Sequence, residues 1–425
     1  MTHWESVLAS ARRYVIIAAV AAVCFAAWRF TTITAPQTIK IGILHSRTGF
    51  MAISEIPVIN TTLMAIREIN EKGGLLGLPI EPVIADGRSD LKVFAQEAER
   101  LITQEKVSAI FGCWLSSCRK AVKPVVEKYN NLLMYPVQFE GLEKSKNIIY
   151  TGASPNQQLL PGPVWMMNKF GKRLYLIGST KNLFARAANG ILKEILPQMH
   201  GEIVGEEYLD YNQTNLDETI KRIEAAKPHV IINSAYGEVN IALYKSLKRL
   251  AQKTGKPISI LAYSIQDPDY PFIGIENVEG TYVIASYFDT LLNEKNHIFL
   301  QKLQHAYGTK LASEQMNSGY IGVHLWAQAV TQAQSLETEK VVAALHGITH
   351  KGAQGTVTVG WKNTMTYLPI FIAQVSKTGT SEVVWSTGFS TEPIAYPTDM
   401  FIANMLNIWP VEKWNAMVQG MYDKV

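Results

Sequence analysis

The sequence predicts an α/β protein made of two lobes, each a doubly wound parallel β-sheet covered by helices. Continuously apolar runs of strand length recur along the chain, and segments of helical periodicity separate them. This alternation is typical of parallel strands that are buried on both faces. The chain has 425 residues, 47% of them hydrophobic, which is too long for one ordinary core and suits two lobes of roughly 150 to 200 residues each.

The predicted strands fall into two groups, one for each sheet. The first group begins at Ile39, Pro79, Val107, Leu132 and Asn147, and the second begins at Arg173, His229 and Ile258. Between the second and third strands, apolar residues at spacings of three and four predict a helix with Ser89 as its N-cap. In folds of this kind, ligands bind where the carboxyl ends of the strands face a crevice.

The N-terminus carries an apolar segment, and we predict that residues 1–36 are a signal or anchor. Arg12 and Arg13 precede an uncharged run from Tyr14 to Trp28. Its length lies between that of a signal-peptide core and that of a full membrane span of about 20 residues, so cleavage, lipidation at Cys24 and retention all stay open. The arginine pair favours an N-terminus that stays inside, and no good small-x-small cleavage site follows, since Ile33-Thr34-Ala35 precedes Pro36. We therefore expect a retained inner-membrane anchor with the remaining chain on the periplasmic or extracellular side.

Composition and motifs argue against several other functions. The formal charge of +4 is not concentrated in a basic run, so no nucleic-acid partner is expected. Histidines are scattered and no nucleophile elbow or P-loop occurs, so we predict no enzyme, no metal and no cofactor. Cys113 and Cys118 are close enough in sequence to pair, but we expect them to be small packing residues.

In the first lobe, two strand ends carry candidate ligand-binding residues. Trp114, Ser116 and Ser117 stand where a strand gives way to a helix, and a serine hydroxyl beside unpaired N–H groups suits a carbonyl oxygen. The alternative is that a serine is only an N-cap. Tyr135 and Gln138 follow the next strand and offer a ring and an amide. The alternative for Tyr135 is a half-buried core residue.

The second lobe contributes a further set of candidates. Thr180 and Asn182 follow one strand, Tyr236 and Glu238 follow the next, and Ser264 ends a third. Glu238 opens a predicted helix, so it either contacts a ligand or only compensates the helix dipole.

Four segments together resemble the urea- and short-chain-amide-binding branch of the type I periplasmic solute-binding proteins, within the leucine/isoleucine/valine-binding superfamily. They are HSRTGFMAISEIPV from His45, REINEKGG from Arg67, FGCWLSSCRKAVKPVVEKYNNLLMYPVQFEG from Phe111 and YTGASPNQQ from Tyr150. The resemblance implies a receptor that closes over a small solute and delivers it to the permease of an ABC importer. An alternative is a membrane-held sensor that reports occupancy to a partner protein.

The same resemblance carries roles onto particular residues. Ser116 falls on the ligand-contacting serine of the branch, Trp114 on the aromatic residue before it, and Tyr135 with Gln138 on its YPxQ turn. The second lobe departs from the branch in the turn from Gly178 to Arg186 and around Glu238. These departures leave urea, a short amide and an amino acid all open as the ligand.

The resemblance also implies discontinuous domains joined by a three-segment hinge. We expect lobe 1 to comprise residues 37–154 plus 286–354, and lobe 2 to comprise residues 155–285 plus 355–425.

Overall fold

A computed structural model describes residues 37–180 and 182–395. The predicted apolar helix from Tyr14 to Trp28, together with Cys24, lies outside the described residues. Within the described ranges, no helix is long and apolar enough to cross a membrane.

The first sheet is parallel, with five strands in the order β2-β1-β3-β4-β5. Its strands are β1 (Ile39–His45), β2 (Ile80–Asp86), β3 (Ile110–Gly112), β4 (Leu133–Tyr135) and β5 (Ile148–Tyr150). The intervening helices are α1 (Ala52–Glu71), α2 (Leu91–Thr103) and α3 (Ser116–Lys128). Ile41 and Ile43 are fully buried, as the continuously apolar pattern requires. The prediction that the first five strands form one sheet is confirmed.

The predicted N-cap of α2 is wrong by one residue. Asp90 caps the helix, because its carboxylate accepts hydrogen bonds from the backbone N–H groups of Lys92 and Val93 at 2.8 and 3.1 Å. The hydroxyl of Ser89 instead accepts a bond from Met51 N at 3.0 Å, which holds the loop after β1 against the start of α2.

The chain then builds a second sheet. Five parallel strands supply most of it: β6 (Arg173–Ser179), β7 (Glu202–Leu209), β8 (Val230–Asn233), β9 (Ser259–Ala262) and β10 (Tyr282–Ala285). The helices before and between them are α4 (Pro155–Gln158), α5 (Pro161–Phe170), α6 (Leu183–Ile195), α7 (Asp217–Ala226), α8 (Val239–Thr254), α9 (Tyr270–Ile273) and α10 (Ile275–Val278). Short 3₁₀ turns lie at Leu196–Met199 and Asp267–Asp269.

After β10 the chain returns to the first sheet. It forms α11 (Glu294–Tyr307), α12 (Glu314–Ala333) and α13 (Thr338–Leu345), and α12 packs against α1, β3 and β4. A small antiparallel sheet follows, made of β11 (Thr349–Gly352), β12 (Gly355–Val359) and β13 (Thr366–Tyr367). It lies beside β5, because Met365 forms a β-bridge with Tyr150.

The last two strands of the described chain lie in the second sheet. Strand β14 (Phe371–Val375) pairs antiparallel with β10, and β15 (Ser381–Ser386) pairs antiparallel with β14, so the full order is β15-β14-β10-β9-β8-β6-β7. The predicted α/β fold with two parallel sheets is confirmed, and this antiparallel edge was not predicted.

Three connections link the sheets, and buried side-chain amides tie them together. They run from β5 to β6, from β10 to α11, and from β13 to β14. Gln157 donates to the carbonyl oxygens of Thr366 and Thr391 at 3.0 and 2.7 Å. Gln158 donates to Ile284 O at 2.9 Å. These bonds join the first connection to β10 and β13, the strands from which the other two connections start, and to the segment after β15.

Cys113 and Cys118 form a disulfide, so the expectation of two unpaired packing residues is wrong. The turn from β3 into α3 brings their Cα atoms to 6.3 Å, a separation that a disulfide spans. The bond closes the turn that presents Trp114 and Ser116.

We predict that alkylation with and without reductant will distinguish the two bonded cysteines from the third cysteine. The sequence has three cysteines, and two of them are bonded to each other. Intact mass of the unfolded full chain should therefore show one alkylated cysteine before reduction and three after it. Three alkylated cysteines without reductant would contradict the disulfide.

Candidate ligand-binding site

A cavity of about 580 Å³ lies where the carboxyl ends of the strands of the two sheets meet. From the first-sheet side it is lined by Gly49–Ser54, Pro57, Trp114–Ser116, Val137, Gln138, Ser313, Gln315 and Met316. From the second-sheet side it is lined by Asn182, Phe184, Tyr211, Tyr236–Glu238, Asn240, Ile241, Ser264–Gln266, Pro268, Asp269, Phe272 and Ile273. The strand-end rule therefore locates the walls of the cavity.

A buried guanidinium organises the first wall. Arg119 is fully buried on α3, and it donates to Glu140 at 2.8 Å and to Glu143 at 2.7 Å. The hydroxyl of Ser116 donates to Glu140 Oε2 at 2.6 Å. Burial would raise the pKa of Glu143, but the Arg119 charge and a hydrogen bond from Tyr150 lower that pKa to about 2. The cluster fixes the start of α3 against the segment after β4.

Two predicted residues of the first wall lie outside the cavity lining. Tyr135 is fully buried, with Arg119 over its ring at 4.9 Å, and its hydroxyl donates to Trp114 O at 2.6 Å. Its ring is thus behind the wall, where it holds the turn that carries Trp114. Ser117, next to Ser116 on α3, does not line the cavity either.

Gln138 spans the gap between the two sheets. Its amide group donates to Tyr263 O, at the end of β9, at 3.2 Å. Its oxygen accepts from Gln315, at the start of α12, at 2.8 Å. This amide lines the cavity and is shared between elements that belong to different sheets.

The turn that carries Tyr236 is braced from below by buried amides. Asn233 accepts from Ala235 N at 2.9 Å and donates to Asn240 at 2.9 Å, and Asn240 donates back to Ala235 O at 3.1 Å. Gly237 has a φ of +86°, and a Cβ there would meet the Tyr211 ring at 1.9 Å. Glycine is therefore required for this turn to hold Tyr236 and Glu238 at the cavity.

The remaining predicted residues divide between cavity and surface. Asn182 lines the cavity at the N-terminus of α6, and Ser264 lines it after β9. Thr180 does not, because its hydroxyl donates to Asp210 at 2.6 Å on the exposed side of the turn.

Aromatic rings connect the two sides at the rim of the cavity. Phe50, from the loop after β1, meets Tyr211, which follows β7, with ring centroids 5.2 Å apart. The Tyr211 hydroxyl donates to Phe50 O at 3.1 Å, and the Tyr236 ring lies 6.1 Å from the Tyr211 ring. Burial raises the pKa of the Tyr236 phenol to about 12, so this side chain is neutral.

Sequence reasoning missed several lining residues. Tyr211 follows β7, whose polar and half-buried residues hide the strand from a search for apolar runs. Gln315 begins α12, and its place at the cavity depends on the return of the chain from β10 to the first sheet. Asp269 lies only five residues beyond Ser264, so extending the search along that turn would have found it.

Carboxyl groups gather around the 3₁₀ turn after β9. Asp269 lines the cavity and accepts from Gln266 N at 2.9 Å, and burial raises its pKa to about 6. Asp289 accepts from Ala312 N at 3.3 Å, and burial followed by the charge of Asp267 raises its pKa to about 7. No group of three or more His, Cys, Asp or Glu side chains in the described ranges is arranged to hold a metal ion.

Two sheets that contribute opposite walls of one cavity, and that are linked by three connections, define a two-lobed binding protein. Residues 39–400 match the periplasmic binding protein domain family, and the chain belongs to this family.

Solved structures with the same fold include three binding proteins. An ABC-transporter solute-binding protein from Rhodopseudomonas palustris HaA2, in complex with p-hydroxybenzoic acid, has a TM-score of 0.77 and 19% identity over 86% of this chain and 100% of that one. A leucine-binding protein from Thermotoga maritima has a TM-score of 0.72 and 20% identity over 82% and 98%. A branched-chain amino acid transporter substrate-binding protein from Streptococcus pneumoniae, in complex with isoleucine, has a TM-score of 0.71 and 21% identity over 82% and 99%.

The chain also matches a curated protein named limonene hydroxylase, from Geobacillus stearothermophilus. The two are 25% identical over 140 residues, which is 32% of this chain and 26% of that protein. The chain therefore spans about a quarter of its length, too little to assign its activity here. The family and the solved relatives above are binding proteins, and the urea- and amide-binding branch stays a prediction.

We predict that Arg119→Met will lower the free energy of unfolding by about 3–5 kcal/mol, because it removes the buried cation of Glu140 and Glu143 and leaves these carboxylates with only the exposed Lys120 as an ion-pair partner. Chemical denaturation measures the change. Lys120→Met is the matched control on the same helix, since Lys120 is 41% exposed, and it should cost much less. Equal losses for the two variants would contradict the role of Arg119.

We predict that Asp289→Asn will raise the unfolding midpoint at about pH 8 more than at about pH 5. Burial raises the folded-state pKa of Asp289 to about 7, above its pKa in the unfolded chain. The folded wild-type protein therefore holds this proton more tightly than the unfolded chain, and it loses stability as the pH rises towards 7. Asparagine carries no charge and removes that loss, and it still accepts from Ala312 N. Thermal unfolding at both pH values measures it, with exposed Asp217→Asn as control. A midpoint difference that is the same at both pH values would contradict the raised pKa.

Proposed function

We propose that this protein is an extracytoplasmic receptor that captures a small polar solute between its two lobes and delivers it to an ABC importer. The observation that carries the proposal is the cavity between the carboxyl ends of both sheets. Membership of the periplasmic binding protein domain family supports it. Solved structures of the same fold also support it, one named as a solute-binding protein of an ABC transporter and one as a transporter substrate-binding protein.

The proposed lobes are residues 37–154 plus 286–354 and residues 155–285 plus 355–425, which close about the three connections. The β-bridge between Met365 and Tyr150 favours moving residues 355–367 into the first lobe. Closure by hinge bending needs few changes in backbone conformation, and these concentrate in the connecting segments. Gln157 and Gln158 lie within the first connection and would keep the segments in register as the lobes move.

Side-chain amides on both walls suit an amide-containing ligand. Gln138, Asn182, Gln266 and Gln315 line the cavity, and each carries a donor and an acceptor. Urea, a short amide and an amino acid all offer complementary groups. The volume of about 580 Å³ is typical of sites for ligands larger than urea, which favours an amide or amino acid with an additional group.

We propose further that residues 1–36 direct the chain to the membrane and remain as its anchor. The arginine pair before the apolar run from Tyr14 to Trp28 supports this orientation. Intact mass of the exported protein distinguishes a retained segment from a cleaved one.

Thermal-shift screening tests the receptor function. The probes are urea, formamide, acetamide, propionamide and the branched-chain amino acids. A ligand at 100 times its dissociation constant should stabilise the folded protein by about 2.7 kcal/mol, which raises the unfolding midpoint. If none of these solutes raises the midpoint, the proposed function is contradicted.

A matched pair of variants tests whether binding occurs in the cavity. Asn182→Ala removes an amide from the lining, and Thr180→Ala changes the same turn outside it. The first should weaken binding of the identified solute about five-fold, the value of one hydrogen bond of about 1 kcal/mol, and the second should leave it unchanged. Equal weakening by both variants, measured by calorimetry, would place binding elsewhere.

A further inference from the structure

The charge of the described cavity lining is entirely acidic. Glu238 and Asp269 are the charged side chains among the described lining residues, and neither forms an ion pair with a described residue. Asp269 is half-buried, whereas Glu238 is exposed, and a carboxylate that is partly withdrawn from water without a cation is destabilised. The same loss of hydration disfavours the charged form of Asp269 and so raises the pKa of its carboxyl group. An incoming cation would offset this destabilisation, and an incoming anion would increase it.

Ser116 does not offer its hydroxyl proton to a ligand. That proton goes to Glu140, 2.6 Å away, and Glu140 is itself held by Arg119. Arg119 Nη1 lies 3.3 Å from Ser116 Oγ, and Tyr135 is a further hydrogen-bonding partner of Ser116 in the same buried group. Ser116 therefore gives no donor to a carboxylate or carbonyl oxygen of a ligand.

Aromatic rings lie beside the acidic group of the second wall. Burial raises the pKa of the Tyr211 phenol, and the negative charge of Glu238 raises it further. Tyr211 in turn packs against Tyr236 and Phe50, and all three rings line the cavity. The faces of such rings attract cations, more strongly where water is excluded.

From these contacts we propose that the solute carries its charge on N–H groups, as an amidinium, guanidinium or ammonium cation does. Glu238 and Asp269 bind the charge, and Ser116 offers no donor to an anion. This deepens the proposed function and rests on it, because it names the chemical class of the captured solute.

Isosteric ligands that differ in charge test the proposal on the full-length protein. Acetamidinium, acetamide and acetate share one shape, and benzamidinium, benzamide and benzoate share a larger one. The cation should raise the unfolding midpoint most, and the anion should not raise it, in at least one set. An anion that raises the midpoint as much as its cation would overturn the inference, as would no effect of either cation. Either of these two contrary results would leave the proposed receptor function standing if a solute from the separate amide and amino-acid screen binds.

Substitutions in the cavity test which carboxylates bind the cationic solute. Glu238→Gln should weaken binding of the preferred cation about ten-fold, the effect of roughly 1.4 kcal/mol, and change binding of the matching neutral amide less than about three-fold. Asp269→Asn should act in the same direction. Glu337→Gln is the control, because Glu337 is also the N-cap of a helix, α13, and lies away from the cavity. Equal loss of cation and amide binding in Glu238→Gln, or an unchanged cation affinity in both cavity variants, would overturn the assignment.

Discussion

The buried guanidinium of Arg119 is the contact on which the first wall of the cavity depends. It joins α3 to the segment after β4 through Glu140 and Glu143. A charge withdrawn from water is tolerated only when it is paired and fully hydrogen-bonded, and this cluster meets that condition. Through Glu140 it also fixes the direction of the Ser116 hydroxyl. The same interaction therefore holds the wall together and determines which hydrogen-bonding groups the wall offers to a solute.

Topology explains why a cavity forms at all. Parallel strands present their carboxyl ends at one edge, and two such sheets linked by three connections bring their edges together. Gln138 shows how closely the edges meet, since it bonds to Tyr263 from one sheet and Gln315 from the helix that covers the other. The Phe50–Tyr211 contact closes the rim.

The sequence predicted the strands better than the site. Apolar runs identify β1 and β8 because both faces of these strands are buried, and the strand ends then indicate Trp114 and Asn182 as lining residues. Tyr135 was misplaced because a tyrosine at the end of a strand can lie in front of the wall or behind it, and the buried partner Arg119 decides which. The disulfide was missed because sequence spacing does not give the distance between Cα atoms. Tyr211 was missed because β7 is polar.

The central claim is that a solute in the cavity draws the two lobes together. Spin labels at Arg88→Cys and Asn212→Cys, two exposed positions on either side of the Phe50–Tyr211 contact, report the separation by pulsed electron paramagnetic resonance in a chain that also carries Cys24→Ser. The account predicts a broad distance distribution without solute and a single, shorter population with a solute that raises the unfolding midpoint. A distribution that such a solute leaves unchanged would contradict it.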